Sequence, residues 1–385
     1  MGRFRKQAVG MDIDRGAIKA VQLAKSGGGS VLQHVGYRRL AAGAIMDGEV
    51  ADHDLLAFEI KEFWASHSFA GKSVSLGLAN QKVVVRLLDF PRMSEKDLRG
   101  AIGFEAQDHI PMPIDESVMD YIVLGPQSEG SDLDRILIVA AQKDMISRYT
   151  SAVRAGGLRV AGIDVKALSL IRSTLPNALF EDEGAIVLLD IGTELSNLVV
   201  SQGGMPTLTR FIPGGSQYFA QAVADAANMP EEEAEKQLMN PNIRIGYAGD
   251  DPPPEPSPED SEGNGGTDQA GPDAGGFDDF DPALLYDVRR GLEDAAQVLA
   301  EDVQRSIEYH YSQPNSREVS QVFVSGEGAL VNGLDSYLGE LLGITTNKGS
   351  PLQKLAGNKS NVGEDQLRVM ETVLAVSIGL ALEDL

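Results

Sequence analysis

The sequence predicts an α/β protein built from two related halves, and three observations carry that prediction. Strand-like apolar runs alternate with helical patterns along the chain. Ala8–Leu23 (AVGMDI, DRGAIK, AVQL) and Leu188–Val200 (LLDIGTELSNLVV) share one design: an apolar run ending in Asp-Ile, a small or polar turn, and an immediate second apolar run. That repetition points to an internal duplication. At 385 residues the chain is also too long for one ordinary core.

Around the two hairpins, strands are expected at Val31–His34, Ser73–Leu78, Val83–Leu88, Ile136–Ala140 and Gln321–Val324. Helices are expected at Leu55–Ala65, Asp144–Arg154, Gln217–Ala227 and Pro282–Tyr309. Two insertions interrupt the halves. The first runs from about Gln81 to Ala161: PRMSEKDLRGAIGFEAQ reads as a helix capped by Ser94, HIPMPIDE as a rigid turn and RILIVAAQ as an alternating strand. The second, from about Gln217 to Gln313, is mostly helical apart from Gly249–Pro282. That segment holds eleven acidic residues, no Lys or Arg, and many Pro and Gly. It cannot bury enough apolar surface to offset its ordering entropy, so it reads as a disordered acidic insertion, either an inert extension or an acidic tether. C-terminally, REVSQVFVSGEGALVNGLDSYLGELLG is strand, glycine turn and helix, and QLRVMETVLAVSIGLAL is a last helix with a core face. The expected units are residues 1–80 with 162–184, then 81–161, then 185–216 with 314–385, and finally 217–313.

Composition excludes several functions. A net charge of −24 with few basic clusters leaves no footprint for nucleic acid. With no cysteine there are no disulfides, thiolate metal sites or cysteine nucleophiles. No leader is recognisable, and the longest apolar stretch, near Val373–Leu382, is too short to span a bilayer, so a cytoplasmic protein is expected. The opening MGRFRK carries Lys6 where a myristoylation site wants Ser or Thr. FAGKS (Phe69–Ser73) lacks the first glycine of a P-loop and runs into a strand. The five histidines are scattered without metal-ligand spacing, and no nucleophile-elbow motif occurs.

The chemistry is expected at the hairpins. A turn of the Asp-x-Gly type exposes consecutive backbone N–H groups, while its carboxylate can hold a hydrated divalent cation, a combination suited to phosphate. Taken singly, each is an ordinary Asp- and Gly-containing β-turn. As a pair at the starts of two halves, they resemble the hairpins of the actin/hexokinase/Hsp70-type ATPases, whose duplicated fold is ribonuclease H-like. The resemblance implies ATP and Mg²⁺ in a cleft between two lobes. It would place Asp12, Asp14, Arg15, Gly16 and Lys19 in the first phosphate hairpin and Asp190, Gly192 and Thr193 in the second, with Asp12 and Asp190 holding Mg²⁺ through water. It further implies a glycine turn at Gly214–Gly215, a ribose- or base-contacting Glu233 and Lys236 in PEEEAEKQLM, and a nucleoside-carrying turn at Gly326, Glu327 and Gly328.

Within that superfamily the chain is most similar to the PilM family, the cytoplasmic actin-like assembly proteins of type IV pili. The resemblance covers nearly the whole chain through GMDIDRGAIKAVQL, FEAQDHIPMPIDESVMDY, AGGLRVAGIDVKAL, LLDIGTELSNLVV, GGSQYF and SGEGALVNGL. FEAQDHIPMPIDE lies in the first insertion, which resembles the 1C (SHS2-like) subdomain shared with the division protein FtsA; the other units then correspond to subdomains 1A, 2A and 2B. The family implies a scaffold at the cytoplasmic face of the inner membrane. It would grip the cytoplasmic N-terminal tail of PilN between the first lobe and the insertion, reach the membrane only through that partner, and respond to ATP and Mg²⁺. Contact with a pilus motor ATPase is left open, as is any catalytic residue. Three alternatives remain: an actin-fold ATPase or small-molecule kinase, for which no acceptor-facing base is apparent; a degenerate scaffold with an empty cleft; and an FtsA-like membrane-associated filament protein.

Two residues depart from the family pattern. Asp14 stands where glycine is usual in the first hairpin, and Glu327 stands inside the usual glycine triplet. Each adds a carboxylate near the expected phosphates, at a cost of about one to several kcal/mol unless Mg²⁺ or Lys19 offsets it.

Overall fold

The computed structural model describes residues 7–128, 130–181, 184–240, 242–246, 282–383 and 385. Of the expected acidic insertion, residues 249–281 lie outside the described residues.

The chain opens with an antiparallel meander, β1 (Gln7–Ile13), β2 (Ala17–Ser26) and β3 (Gly29–Arg39). β1 and most of β2 are buried residue after residue, because the sheet is covered on both faces. A short hairpin, β4 (Ile45–Met46) and β5 (Glu49–Val50), leads into α1 (His53–Ser66). Asp52 sets the start of α1, its carboxylate accepting from the amides of Asp54 and Leu55. β6 (Ser73–Leu78) then pairs parallel with β1.

The inserted unit follows as β7 (Val83–Pro91), α2 (Glu95–His109), β8 (Ser117–Pro126) and β9 (Leu133–Gln142). Its three strands form a separate sheet in the order β7-β9-β8. At the start of α2, the Ser94 hydroxyl accepts from the Asp97 amide at 3.3 Å and donates to the Asp97 carboxylate at 2.6 Å. The alternation expected in RILIVAAQ is present, but both faces are apolar because each has its own cover. Ile136, Ile138 and Ala140 pack under α2, whereas Leu137 and Ala141 join the first lobe's core.

Next come α3 (Lys143–Ala155), β10 (Arg159–Val165), which pairs parallel with β6, and α4 (Lys166–Thr174). Met145, Tyr149, Ala152 and Val153 of α3 sit in the first lobe's core. The insertion expected at 81–161 therefore gives α3 back to the lobe that carries it.

The second half repeats the plan. β11 (Ala185–Ile191), β12 (Leu195–Gln202) and β13 (Met205–Pro213) form its meander. Helices α5 (Ser216–Ala227), α6 (Glu231–Gln237) and α7 (Pro282–Tyr311) precede β14 (Val319–Ser325), which is parallel to β11. After α8 (Leu334–Leu342), β15 (Thr345–Lys348) pairs parallel with β14. The strand orders β3-β2-β1-β6-β10 and β13-β12-β11-β14-β15 are the same pattern, antiparallel on one side of the first strand and parallel on the other. The duplication read from the hairpins thus extends to whole sheets, and the fold is the two-lobed actin-like α/β architecture.

The chain ends with β16 (Gly357–Asn358), α9 (Glu364–Met370) and α10 (Ala375–Glu383). This segment divides differently from the expected 314–385 unit, since β16 pairs with β3 and α10 packs on β1, β2 and β6 of the first lobe. α4 and α10 lie between the lobes, where Leu170, Ile171, Val376 and Leu380 meet Ile186, Leu188, Val199 and Phe323 of the second sheet. The packing is close: a side chain at Gly379 would collide with the Ser169 carbonyl. On the far side, β7 of the insertion lies alongside β13, so the inserted sheet touches both lobes.

Candidate functional site

The two hairpin turns have equal length, residues 14–17 between the paired Ile13 and Ile18, and residues 192–195 between Ile191 and Ser196. The register that makes them places Asp12 opposite Lys19, and Asp190 opposite Asn197. Parallel pairing adds Ser325 beside Asp190. Equivalent positions of the duplicated unit therefore carry a carboxylate facing a cation in one lobe and an amide in the other.

In the first lobe the charges are tightly compensated. Asp12 meets the Lys166 ammonium at 2.6 Å and the Lys19 ammonium at 3.3 Å, and all three side chains are buried. Asp14 takes Lys19 at 2.5 Å through one oxygen, while its other accepts from the amides of Gly16 at 2.8 Å and Ala17 at 3.0 Å. Burial works to raise the Asp14 carboxyl, but Lys19, Lys166 and these hydrogen bonds hold it below the ordinary range. Burial likewise works against both ammonium groups. The surrounding carboxylates outweigh it, Asp14 and Asp12 lifting Lys19 well above its usual value and Asp12 and Asp14 lifting Lys166. Asp14 needs no left-handed backbone: the non-glycine residues with positive φ, among those described, are Asp47, Asn228 and Asn315.

In the second lobe, Asp190 has, among the described residues, only long hydrogen bonds, 3.4 Å each, from the Asn197 amide and the Ser325 hydroxyl. Burial pushes its carboxyl up to about 6 despite Lys166 and Lys19. Glu327 accepts the Thr193 hydroxyl at 2.9 Å and reaches across the cleft to the Tyr37 hydroxyl at 3.2 Å. Burial raises Glu327 against the pull of Lys19, and Tyr37, half-buried beside that carboxylate, is raised to about 12.

Further polar bridges join the lobes at the mouth of the cleft. Arg15 binds Glu194 at 2.9 Å, the Asp47 amide donates to the same carboxylate at 2.8 Å, and Arg39 binds Glu235 at 2.8 Å. The hairpins themselves touch, for a side chain at Gly16 would run into Thr193. Outward from this contact lies a cavity of about 430 Å³ between the lobes, lined by Arg15, Tyr37, Leu238, Met239, Glu327 and Met370 among others. Inward lies a remnant of about 30 Å³ beside Asp14, Lys166, Asp190 and Asn197.

The structure brings Arg15, Gly16, Thr193 and Glu327 to the larger cavity, with Asp12, Asp14, Lys19, Asp190 and Gly192 behind them. Gly214 and Gly215 stand behind the second hairpin, where the amides of Ser216 and Gln217 donate to the Gly192 and Thr193 carbonyls. Gly326 and Gly328 pack closely on Ile191, and of that turn Glu327 reaches the cleft. Glu233 and Lys236 are exposed on α6, Lys236 lying 3.6 Å from Glu232, and neither lines the cavity. Glu235, Leu238 and Met239 of the same stretch do. Sequence reasoning missed Lys166, Tyr37, Glu194 and Glu235. A signal existed for Lys166, a lone cation in the apolar run VKALSL, and for Glu194, which sits in the second turn itself.

The arrangement does not fit a magnesium triphosphate. The first turn's amides and Lys19 are engaged by Asp14, Thr193 by Glu327, and Asp12 by two ammonium groups. The inner remnant has room for only about one or two waters, far less than a hydrated Mg²⁺ with phosphates. Among the described residues no group of three or more His, Cys, Asp or Glu is placed to hold a metal ion. Of the two expected Mg²⁺ carboxylates, Asp12 is already paired with Lys166 and Lys19, whereas Asp190 has only the long contacts to Asn197 and Ser325.

A second surface stands out on the insertion. β8 is an edge strand of its sheet, and Val118, Ile122 and Val123 on it are exposed. Beside them a cavity of about 850 Å³ runs between β8 and α2, lined by Met93, Leu98, Arg99, Ile102, Met119 and Tyr121 among others. Val118 and Ile122 lie opposite Ala141 and Leu137, the β9 residues that enter the first lobe's core. No described helix is long and apolar enough to cross a membrane.

Comparison with known proteins gives these features a context. A sequence profile of the family described as type IV pilus assembly protein PilM matches residues 10–250 and 290–385. A solved PilM–PilN type IV pilus biogenesis complex contains a chain of the same fold with a TM-score of 0.77 and 26% identity, covering 98% of both chains. MreB5 of Spiroplasma citri bound to ADP is similar at a TM-score of 0.52 and 13% identity, covering 97% of this chain and 94% of that one. The ethanolamine utilization protein EutJ from Carboxydothermus hydrogenoformans is similar at 0.51 and 14%, covering 98% and 89%. The last two likenesses are of fold alone.

Proposed function

Because the chain belongs to the family of type IV pilus assembly proteins PilM, we propose that it is a binding scaffold that holds the cytoplasmic N-terminal tail of a PilN partner along the inserted subdomain. One observation carries the location. β8 is an edge strand flanked by exposed Val118, Ile122 and Val123 and by the cavity under α2, and an extended peptide can add to such an edge while its side chains enter the adjacent apolar space. Attachment to the inner membrane runs through the partner. The implied modulation by ATP and Mg²⁺ is not part of this reading, since the groups that would receive the phosphates are occupied by the chain's own carboxylates.

Calorimetry with a peptide of the cognate PilN N-terminus tests the proposal. Association is expected without added nucleotide, and Ile122→Asp, at an exposed position, is expected to weaken it about tenfold or more, roughly 1.4 kcal/mol. No association at high micromolar concentration would refute the scaffold reading. Unchanged affinity in the variant would move the tail elsewhere.

A further inference from the structure

We infer that Asp14 and Glu327 are built-in replacements for the phosphates of a nucleotide, and that this chain keeps its interlobe cleft bridged by its own anions and closed to polyphosphates. Two consecutive turn amides, a buried ammonium and a hydroxyl converging on one point make an anion site, because N–H dipoles and a cation in a low-dielectric setting stabilise negative charge strongly. Such a site exists at the facing hairpins, and every one of its donors is already engaged. Gly16 and Ala17 amides and Lys19 go to Asp14, and the Thr193 hydroxyl goes to Glu327, which also takes the Tyr37 hydroxyl from the opposite lobe.

The same chemistry continues outward. Glu194 and Glu235 of the second lobe take Arg15, the Asp47 amide and Arg39 of the first. A polyanionic ligand binding here would ordinarily join donors of both lobes; in this chain three glutamates of one lobe are held by donors of the other. Among the described residues the cations at the cleft, Arg15, Lys19, Arg39 and Lys166, are each engaged by a carboxylate, so an entering triphosphate would meet these carboxylates at like-charge distances where repulsion in a partly buried site is severe. The outer cavity of about 430 Å³ stays open beyond them, walled by Leu238, Met239, Val369 and Met370. It suits an uncharged ligand of nucleoside size better than a nucleotide.

The test is thermal unfolding of the full chain with and without millimolar Mg-ATP, and separately with inorganic tripolyphosphate. The wild type is expected to show no shift of its midpoint with either. Asp14→Gly with Glu327→Gly vacates both anion positions and is expected to gain a rise of several degrees, the size given by a ligand at about 100 times its Kd. If that variant does not fold, Asp14→Asn with Glu327→Gln removes the charges and keeps the shapes, and the same gain is expected. A wild type stabilised by Mg-ATP as strongly as the variants overturns the inference, as does a folded variant that gains nothing. Tail binding is not read in this experiment, so its outcome is separate from that of the scaffold proposal.

Discussion

Lys166 holds Asp12 at 2.6 Å with both side chains buried, and only Lys19, at 3.3 Å, stands behind it as a second cation. Removing one member of a buried ion pair leaves the other charge desolvated and unmatched, which costs more than the pair itself contributes. Lys166→Met is therefore expected to lower stability by about 3 kcal/mol in urea denaturation. Adding Asp12→Asn to it should recover part of that loss, because the two changes share one interaction. An additive double mutant would mean that Lys166 acts through packing alone. Asp12 and Lys19 were legible as members of one hairpin, and the register of its strands places them opposite each other. Lys166 was not, since its approach to Asp12 depends on β10 pairing with β6 and β6 with β1, a chain of long-range contacts with no local signature. The consequence of Asp14 was half legible. Its charge could be read, whereas its capture of its own turn's amides required the turn.

α10 shows how an element's character can be plain while its partner is hidden. Its apolar sequence announces a core helix, yet nothing in it says that the last residues return to the first lobe's sheet. Close approach between α10 and α4 depends on a missing side chain at Gly379, which faces the Ser169 carbonyl. Gly379→Val is expected to destabilise the protein by about 1–3 kcal/mol through overpacking, measured by chemical denaturation. A neutral result would mean that the two helices slide apart without loss. α6 gives the complementary lesson. The motif read on it was Glu233 and Lys236, whereas Ala234 is buried and the cleft is lined by Glu235 of the helix and by Leu238 and Met239 just beyond its end. The packing of α6 against α5 fixes which side chains face the cleft.

At the scale of the whole molecule, the lobes share the α4–α10 layer and the polar bridges across the cleft, and they are expected to unfold together. The single tryptophan, Trp64, stacks on Phe69 inside the first lobe, so its fluorescence follows that lobe while far-ultraviolet circular dichroism follows both. Coincident thermal curves are the expected result, and separate midpoints would show that the lobes are independent units. Duplication was legible because each half must start with the same strand-turn-strand unit. Division of the C-terminus between lobes was not, for it is a matter of topology rather than pattern.

One feature of the assembly bears on mechanics. The inserted sheet has its free edge at β8 and its other edge, β7, alongside β13 of the second lobe, while Leu137 and Ala141 of the middle strand anchor in the first. With a membrane-tethered peptide on β8, any tug on that tether would pass sideways through two antiparallel ladders and be shared between both lobes. Tension would then load the seam of β7 and β13 and the carboxylate bridges of the cleft in parallel, and under the proposed binding mode the insertion would serve as a yoke rather than a hook.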